Sequence, residues 1–237
     1  LEYNLPLGDK LRIPLQKEEN KGSKQYPNLE PSPELAYILG VIDGDGSVSG
    51  YDYIQLGVKD YAFAKEFESA LKAIGLRPKV RPNDRWNKGL KRQQSQWRCY
   101  ASSTVFVNWY RSLTQEQKEG VAKQFPIEYL RGFFESEGSY NINPDGSAYV
   151  WFSSTNYELL IMVQRLLTAF GYKSRIHEYK HKTQLTDREV TCYRLSLLGS
   201  SEEKHEFIRK LNPCIKYRPY DYSDPNGLRG RNPKNRC

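Results

Sequence analysis

"YILGVIDGDGSV" (residues 37–48) and "YLRGFFESEGSY" (129–140) are the two stretches on which the fold turns. Laid over each other at a constant offset of 92 residues, they repeat Tyr37, Gly40, Gly46 and Ser47 as Tyr129, Gly132, Gly138 and Ser139. The acids Asp43 and Asp45 return as Glu135 and Glu137. A second pair of segments, 60–80 and 156–176, aligns at an offset of 96. There Phe63, Phe67, Ala70, Leu71, Ile74 and Gly75 fall over Leu159, Val163, Leu166, Leu167, Phe170 and Gly171, an apolar spacing that predicts one amphipathic helix per copy. The longer turn "NPDGS" (143–147) accounts for the change of offset. The chain is an internal duplication, and each copy reads helix, two strands, helix, two strands, helix.

A helix interior disfavours Gly by about 1 kcal/mol relative to Ala, so the glycines need a reason. Gly40 and Gly44 are four apart, as are Gly132 and Ser136. Small residues at that spacing let two helix backbones approach closely. Ser32 with Pro33 opens the first of these helices, and Pro126 opens the second. The two helices are therefore expected to pair about a pseudo-twofold axis and to run as far as Gly44 and Ser136. Asp45 and Glu137 then finish side by side at helix C-termini, which carry partial negative charge. Two carboxylates brought together there repel, raise a pKa or hold cations. With oxygen ligands alone, Mg²⁺ is favoured over zinc, and such a pair suits metal-assisted hydrolysis of a phosphodiester.

The remaining elements are strands and their helices. "YDYIQLGVK" (51–59) turns Ile54, Leu56 and Val58 to one face and Tyr53, Gln55 and Lys59 to the other. "AYVWFSST" (148–155) separates Val150 and Phe152 from Tyr149, Trp151, Ser153 and Thr155 in the same way. Arg77, Lys79 and Arg81 point away from Val80, as Lys173, Arg175 and His177 point away from Ile176. Fourth strands are predicted near 94–102 and 190–198, and closing helices near 104–113 and 201–211. Asp60 and Asn156 are placed to cap the middle helices, with Gly75 and Gly171 as stops.

Charge points to the ligand. The 237 residues carry a net charge of +8, and a basic chain of this kind commonly meets a polyanion. Residues 79–98 hold seven basic side chains against one acid, with Arg85, Lys91, Arg92, Gln94, Gln96 and Arg98 among the polar groups. Arg194 stands in the equivalent hairpin, 173–194. Arg and Lys suit phosphates and guanine edges, Gln and Asn adenine edges. Each neutralised phosphate contributes a salt slope of about −0.9.

The four cysteines, Cys99, Cys192, Cys214 and Cys237, form no C-x-x-C pair, which argues against structural zinc and a disulfide framework. His177 and His181 fall on a strand and turn, so they share no helical face. No apolar run approaches the roughly 20 residues of a membrane span, and a reducing intracellular compartment is expected, the cytoplasm of a prokaryote or an organelle. A chain that begins at Leu1 reads as a piece of a longer frame or a processed product. Residues 1–32 read as an N-terminal arm, 33–125 and 126–212 as the two repeats, and 213–237 as a basic tail, disordered or strapped along the ligand.

"ILGVIDGDG" and "LRGFFESEG" resemble the paired motif of the LAGLIDADG homing endonucleases in their single-chain, two-repeat form. The resemblance covers about residues 33–212. It implies an α+β fold of two pseudo-symmetric αββαββα repeats, packed through the motif helices, whose antiparallel sheets form a saddle over the DNA major groove. It implies a monomeric enzyme that makes staggered double-strand breaks in a long DNA target. Asp45 and Glu137 would bind two or three divalent ions, Mg²⁺ with Mn²⁺ or Ca²⁺ able to replace it, and the carbonyls of Gly44 and Ser136 would face them. Asp43 and Glu135 read as solvated or capping acids. Family members usually place a polar residue, often Gln, at the end of the second strand and a Lys near the pocket in at least one repeat. Here Lys59 and Thr155 hold the strand ends, which makes Lys59 the candidate pocket cation. Two other readings stand beside the nuclease: a maturase that binds its host intron RNA, and a DNA-binding regulator without chemistry.

Overall fold

Helix α1 (Pro33–Asp43) begins where Ser32 accepts a hydrogen bond from the Leu35 amide at 3.1 Å and Pro33 fills the first turn. Every residue from Leu35 to Ile42 is buried, as expected of a helix that is apolar all round. The computed structural model describes residues 25–83, 85–87, 92–182 and 189–215, without the side chains of 85–87, 92–94 and 181–182. Most of the arm and of the tail, 1–24 and 216–237, therefore lies outside the described residues. The described part of the arm packs on the first repeat: the Asn28 amide donates to the Ile74 carbonyl at 2.7 Å, and the Arg77 amide to Gln25 Oε1 at 2.6 Å.

After α1 come β1 (Gly46–Ser49), β2 (Tyr53–Val58), α2 (Tyr61–Ala73), β3 (Lys79–Pro82), β4 (Arg85–Asn87), β5 (Arg92–Gln94), β6 (Trp97–Ser102), α3 (Thr104–Ser112) and α4 (Gln115–Gln124). The second copy supplies α5 (Pro126–Glu137), β7 (Gly138–Ile142), β8 (Ala148–Ser154), α6 (Tyr157–Ala169), β9 (Ser174–Lys182), β10 (Glu189–Leu197) and α7 (Ser201–Leu211). Asp60 and Asn156 cap α2 and α6, and Gly75 (φ +91°) and Gly171 (φ +80°) end them in the left-handed region that glycine tolerates.

Two four-stranded antiparallel sheets result, β1-β2-β6-β3 and β7-β8-β10-β9. Their registers superimpose the repeats residue by residue. Gly46 faces Leu56 as Gly138 faces Phe152; Gly57 faces Arg98 as Ser153 faces Arg194; Arg81 faces Arg98 as His177 faces Arg194. The inner faces carry Ile54, Leu56 and Cys99 in one sheet and Val150, Phe152 and Leu195 in the other. Phe152 touches the rings of Phe133, Phe134 and Phe207, joining β8 to α5 and α7.

The glycines have their reason in the α1–α5 contact. A Cβ on Gly40 would lie 2.2 Å from the Tyr129 carbonyl oxygen, and one on Gly132 would lie 2.4 Å from that of Tyr37. Each repeat's glycine thus seats the backbone of the other, about the pseudo-twofold axis.

Three features differ from the sequence reading. The fourth strand of the first copy starts at Trp97, because the basic stretch before it folds into the separate β4–β5 ribbon. Ser153, assigned to the polar face of β8, is only 8% exposed, paired in register with the large Arg194 side chain. Helix α4 was not anticipated, since its sequence is mostly polar. Its local signal is a capping box, Thr114 and Gln117 each satisfying the other's backbone amide. Adjacent residues of α4 reach both repeats: Lys118 pairs with Asp43 at 3.0 Å, and Glu119 binds Arg165 of α6 at 2.6 Å.

Candidate active site and nucleic-acid interface

Gly44 ends α1, and Ser136 and Glu137 end α5. A Cβ on Gly44 would fall 2.3 Å from Ser136 Cβ and 3.3 Å from Glu137 Cγ. The two acid-bearing helix ends are therefore in direct contact, with Asp45 one residue beyond Gly44. A larger residue at either small position would push them apart. Asp45 lines an open hollow of about 200 Å³ on the polar side of the first sheet, together with Ser47, Gln55, Gly57, Asn83, Gln96 and Arg98.

Among the described residues, no three or more His, Cys, Asp or Glu side chains come together as a metal-binding group. The donor set at the helix ends is two carboxylates. Mg²⁺ is commonly held by one or two carboxylates, with waters and substrate phosphates completing its shell, so this set fits it. A structural zinc centre, which needs four N or S ligands, does not fit.

The sixth-position acids are neither solvated nor caps. Asp43 is 7% exposed at its side chain, accepts hydrogen bonds from Tyr129 at 2.9 Å and Tyr110 at 3.1 Å, and pairs with Lys118. Glu135 is 3% exposed and accepts from Tyr37 at 2.5 Å and from the Cys214 amide at 2.6 Å. The arrangement is reciprocal: the first tyrosine of each motif donates to the sixth-position acid of the other. Burial drives this, because a carboxylate between tightly packed helices must find donors.

The electrostatics follow the partners. Burial pushes the Glu135 carboxyl above its ordinary range against the pull of Tyr37 and Cys214. Burial, then the neighbouring carboxylates, hold the Tyr37 and Tyr129 hydroxyls well above theirs. Burial acts to lower Lys118, but the Asp43 charge and Tyr110 outweigh it and leave Lys118 raised. The recurrence of Tyr37 as Tyr129 was the available sequence signal; nothing marked Lys118.

On the polar faces, two arginines at equivalent positions stand out. In the first sheet Arg98 donates to Gln55 Oε1 from Nε at 3.0 Å and from Nη2 at 2.5 Å, and lies over the Tyr53 and Tyr100 rings at 5.3 and 5.8 Å. In the second, Arg194 lies over Trp151 and Tyr179, each at 5.3 Å. Attraction to an aromatic face draws a guanidinium into place without consuming its donors. Arg77, Lys79, Arg81, Lys173, Arg175 and His177 are exposed, as is Tyr149. Lys59 is also exposed, but it follows the end of β2 and is not among the residues lining the hollow; among the described residues the cation that lines it is Arg98. Thr155 is exposed just past β8. Lys91 and the side chains of Arg85, Arg92 and Gln94 lie outside the described residues.

Fold and site together define a class: a duplicated α+β saddle with twin sheets, joined through paired glycine-bearing helices that end in acids. The family model of the LAGLIDADG-like domain matches residues 32–104 and 124–212, and the chain belongs to that family. Two curated relatives from Methanocaldococcus jannaschii carry the names uncharacterized protein MJ0314 and MJ0398. The first is 33% identical over 159 residues, 63% of this chain and 59% of its own length. The second is 30% identical over 88% of this chain and 76% of its own length. The ribonucleoside-diphosphate reductase NrdEB subunit alpha of Bacillus subtilis is 27% identical over 76% of this chain but only 18% of its own length.

Among solved structures, I-DmoI in complex with DNA and Mn is similar over 78% of this chain and 98% of its own, with a TM-score of 0.54 and 16% identity. The homing endonuclease I-WcaI bound to its DNA recognition sequence gives a TM-score of 0.57 at 13% identity, over 78% of this chain and 84% of its own. Full-length DUF199/WhiA from Thermatoga maritima gives 0.54 at 15% identity, over 79% of this chain and 58% of its own. These likenesses establish the fold.

Proposed function

We propose that the chain is a site-specific endonuclease that binds a long DNA duplex across both sheets and hydrolyses both strands with divalent metal ions, Mg²⁺ first among them. The observation that carries this reading is the contact of the two acid-bearing helix ends, Gly44 against Ser136 and Glu137. Asp45 and Glu137 are the groups that would hold the ions. Bound there, a divalent ion lowers the pKa of its water and neutralises charge developing at phosphorus. Gly44 and Ser136 keep the two acids at one locus, and Arg98 and Arg194 hold guanidinium groups over the groove. Since one chain carries both halves, it acts as a monomer. The match inside a reductase subunit, of which the aligned segment is under a fifth, supports an element carried within a host gene.

The test is cleavage of duplexes selected from a randomised library. Asp45→Asn and Glu137→Gln should each abolish double-strand cleavage in Mg²⁺ and leave affinity within a few-fold; wild-type cutting by both variants refutes the assignment. A second reading, DNA binding without cleavage, is favoured by one observation. Among the described residues no lysine lines the hollow beside Asp45, and the arginine that does is engaged by Gln55. Tight, salt-dependent binding with no product in Mg²⁺ or Mn²⁺ would select it.

A further inference from the structure

Arg194 stands on β10, an inner strand of the second sheet, with Ser153 of β8 and His177 of β9 opposite it in register. Trp151 and Tyr179 are its diagonal neighbours on the same face, two residues along each flanking strand and within reach of a long side chain. The guanidinium carbon lies 5.3 Å from the centroid of each ring, so rings on two different strands hold one cation. Attraction to both faces gives an otherwise exposed side chain a preferred place. The remaining same-face positions around it, Ser153, Cys192, Ser196, Arg175 and His177, include no acid. The sheet face leaves this charge to a ligand.

The first sheet treats the equivalent side chain differently. At the offset of 96 that relates α2 to α6, Arg98 matches Arg194, and Gln55 and Asn83 stand where Trp151 and Tyr179 do. Arg98 donates to Gln55 Oε1 from Nε and Nη2 and lines the hollow beside Asp45. One edge of its fork is thus used within the protein. At Arg194 both amides are replaced by rings, which attract the cation through their faces.

We propose that Arg194 reads a guanine in the half-site bound by the second repeat, donating to its O6 and N7 in the major groove, and that Trp151 and Tyr179 aim it. This rests on the duplex binding proposed above. The two acceptors on that edge of guanine lie close together in one plane, which suits a flat fork held in one direction. A phosphate offers acceptor oxygens all round and is served as well by a flexible point charge such as lysine. Two rings spent on orienting one guanidinium therefore point to a base, whose contacts carry sequence, and away from the backbone, whose contacts do not.

The test measures binding by the full chain, in EDTA so that metal-dependent cutting is suppressed, to duplexes selected from a randomised library and to their single-base variants. Wild type should prefer guanine about ten-fold or more at one position of one half-site. Arg194→Lys, which keeps the charge and loses the fork, should remove that preference and leave those at other positions unchanged. Replacing that guanine with 7-deazaguanine, which lacks the N7 acceptor, should weaken wild type several-fold and Arg194→Ala hardly at all. Trp151→Leu should lower the same preference several-fold. An Arg194→Ala protein that binds every duplex more weakly by one common factor, with a salt slope smaller by about 0.9, would put the guanidinium on a phosphate and overturn the proposal. Guanine preferences that survive Arg194→Lys overturn it too, while duplex binding itself stands. If wild type selects no duplex, the binding reading falls and this assignment with it.

Discussion

Replacing Lys118 with Met isolates the most exposed weakness in the design of the helix pair. The ammonium is 3.0 Å from Asp43 Oδ1, with side chains 16% and 7% exposed, and no other cation pairs with Asp43 among the described residues. Removing one partner of a buried ion pair costs about 3–5 kcal/mol, because the remaining charge stays desolvated. Tyr129 and Tyr110 still donate to Asp43 in the variant, which places the loss near the lower figure, about 3 kcal/mol. For a chain of this size that is a fall in Tm of about 6–12 °C.

Urea unfolding of Lys118→Met, Asp43→Asn and the double variant measures the coupling directly. The double variant should be less damaged than the sum of the singles by about 2 kcal/mol. A coupling below about 0.5 kcal/mol would refute the view that the pair holds α4 to α1. The pH dependence has a defined sign. The folded pKa of Lys118 is raised, so its contribution is fully present below the unfolded pKa and is lost as pH rises through the folded one. Wild type should therefore lose stability at strongly alkaline pH along a limb that Lys118→Met lacks.

Gly40→Ala should destabilise by about 3 kcal/mol or more, since its Cβ meets the Tyr129 carbonyl, whereas Gly57→Ala, with nothing within 4 Å, should unfold like wild type; thermal melts of the two decide it. Glu135→Gln should change the shape of the pH–stability curve. The raised folded pKa makes wild-type stability fall as pH climbs above the ordinary carboxylate value of about 4.3, and Gln cannot ionise; parallel curves for the two proteins would refute the role of burial there. The two half-sites should be unlike, because Gln55 and Gly57 in the first sheet are replaced by Trp151 and Ser153 in the second. Inverted repeats built from either half-site should bind more weakly than the selected target, by about 1–3 kcal/mol per mismatched base pair. Equal affinities in a competition assay would contradict this.

The duplication was legible because both layers of a repeat leave periodic marks. The helices α2 and α6 show apolar spacing with capping residues, and β2 and β8 show alternation. Glycines whose Cβ atoms would strike a partner's carbonyl have no substitute, so they persist at fixed offset and betray the helix pair. The polar contact of α4 with that pair left no such mark. Asp43 reads as a surface acid until Lys118, 75 positions later, is brought against it by a helix too polar to announce itself. Lys59 is the candidate pocket cation by its place at the strand end, and strand alternation gives a face but not a height along the strand. The hollow beside Asp45 takes Arg98 from β6, whose neighbourhood depends on sheet order.

The two repeats diverge where the axis makes no demand and agree where it does. Backbone-to-backbone contacts fixed Gly40 with Gly132, and the reciprocal bonds fixed Tyr37 with Tyr129 and an acid at 43 with one at 135. Each of these residues touches its symmetry mate's neighbourhood, so a change on one side leaves a cavity, a clash or a buried unpaired charge on the other. The sheet faces carry no such constraint. Arg98 and Arg194 occupy the same register, yet one is held by an amide and tyrosines and the other by an indole and a tyrosine. The fold thus separates a symmetric frame, which holds two acid-bearing helix ends in contact, from two polar sheet faces free to differ. On the function proposed above, those faces would specialise on different DNA sequences.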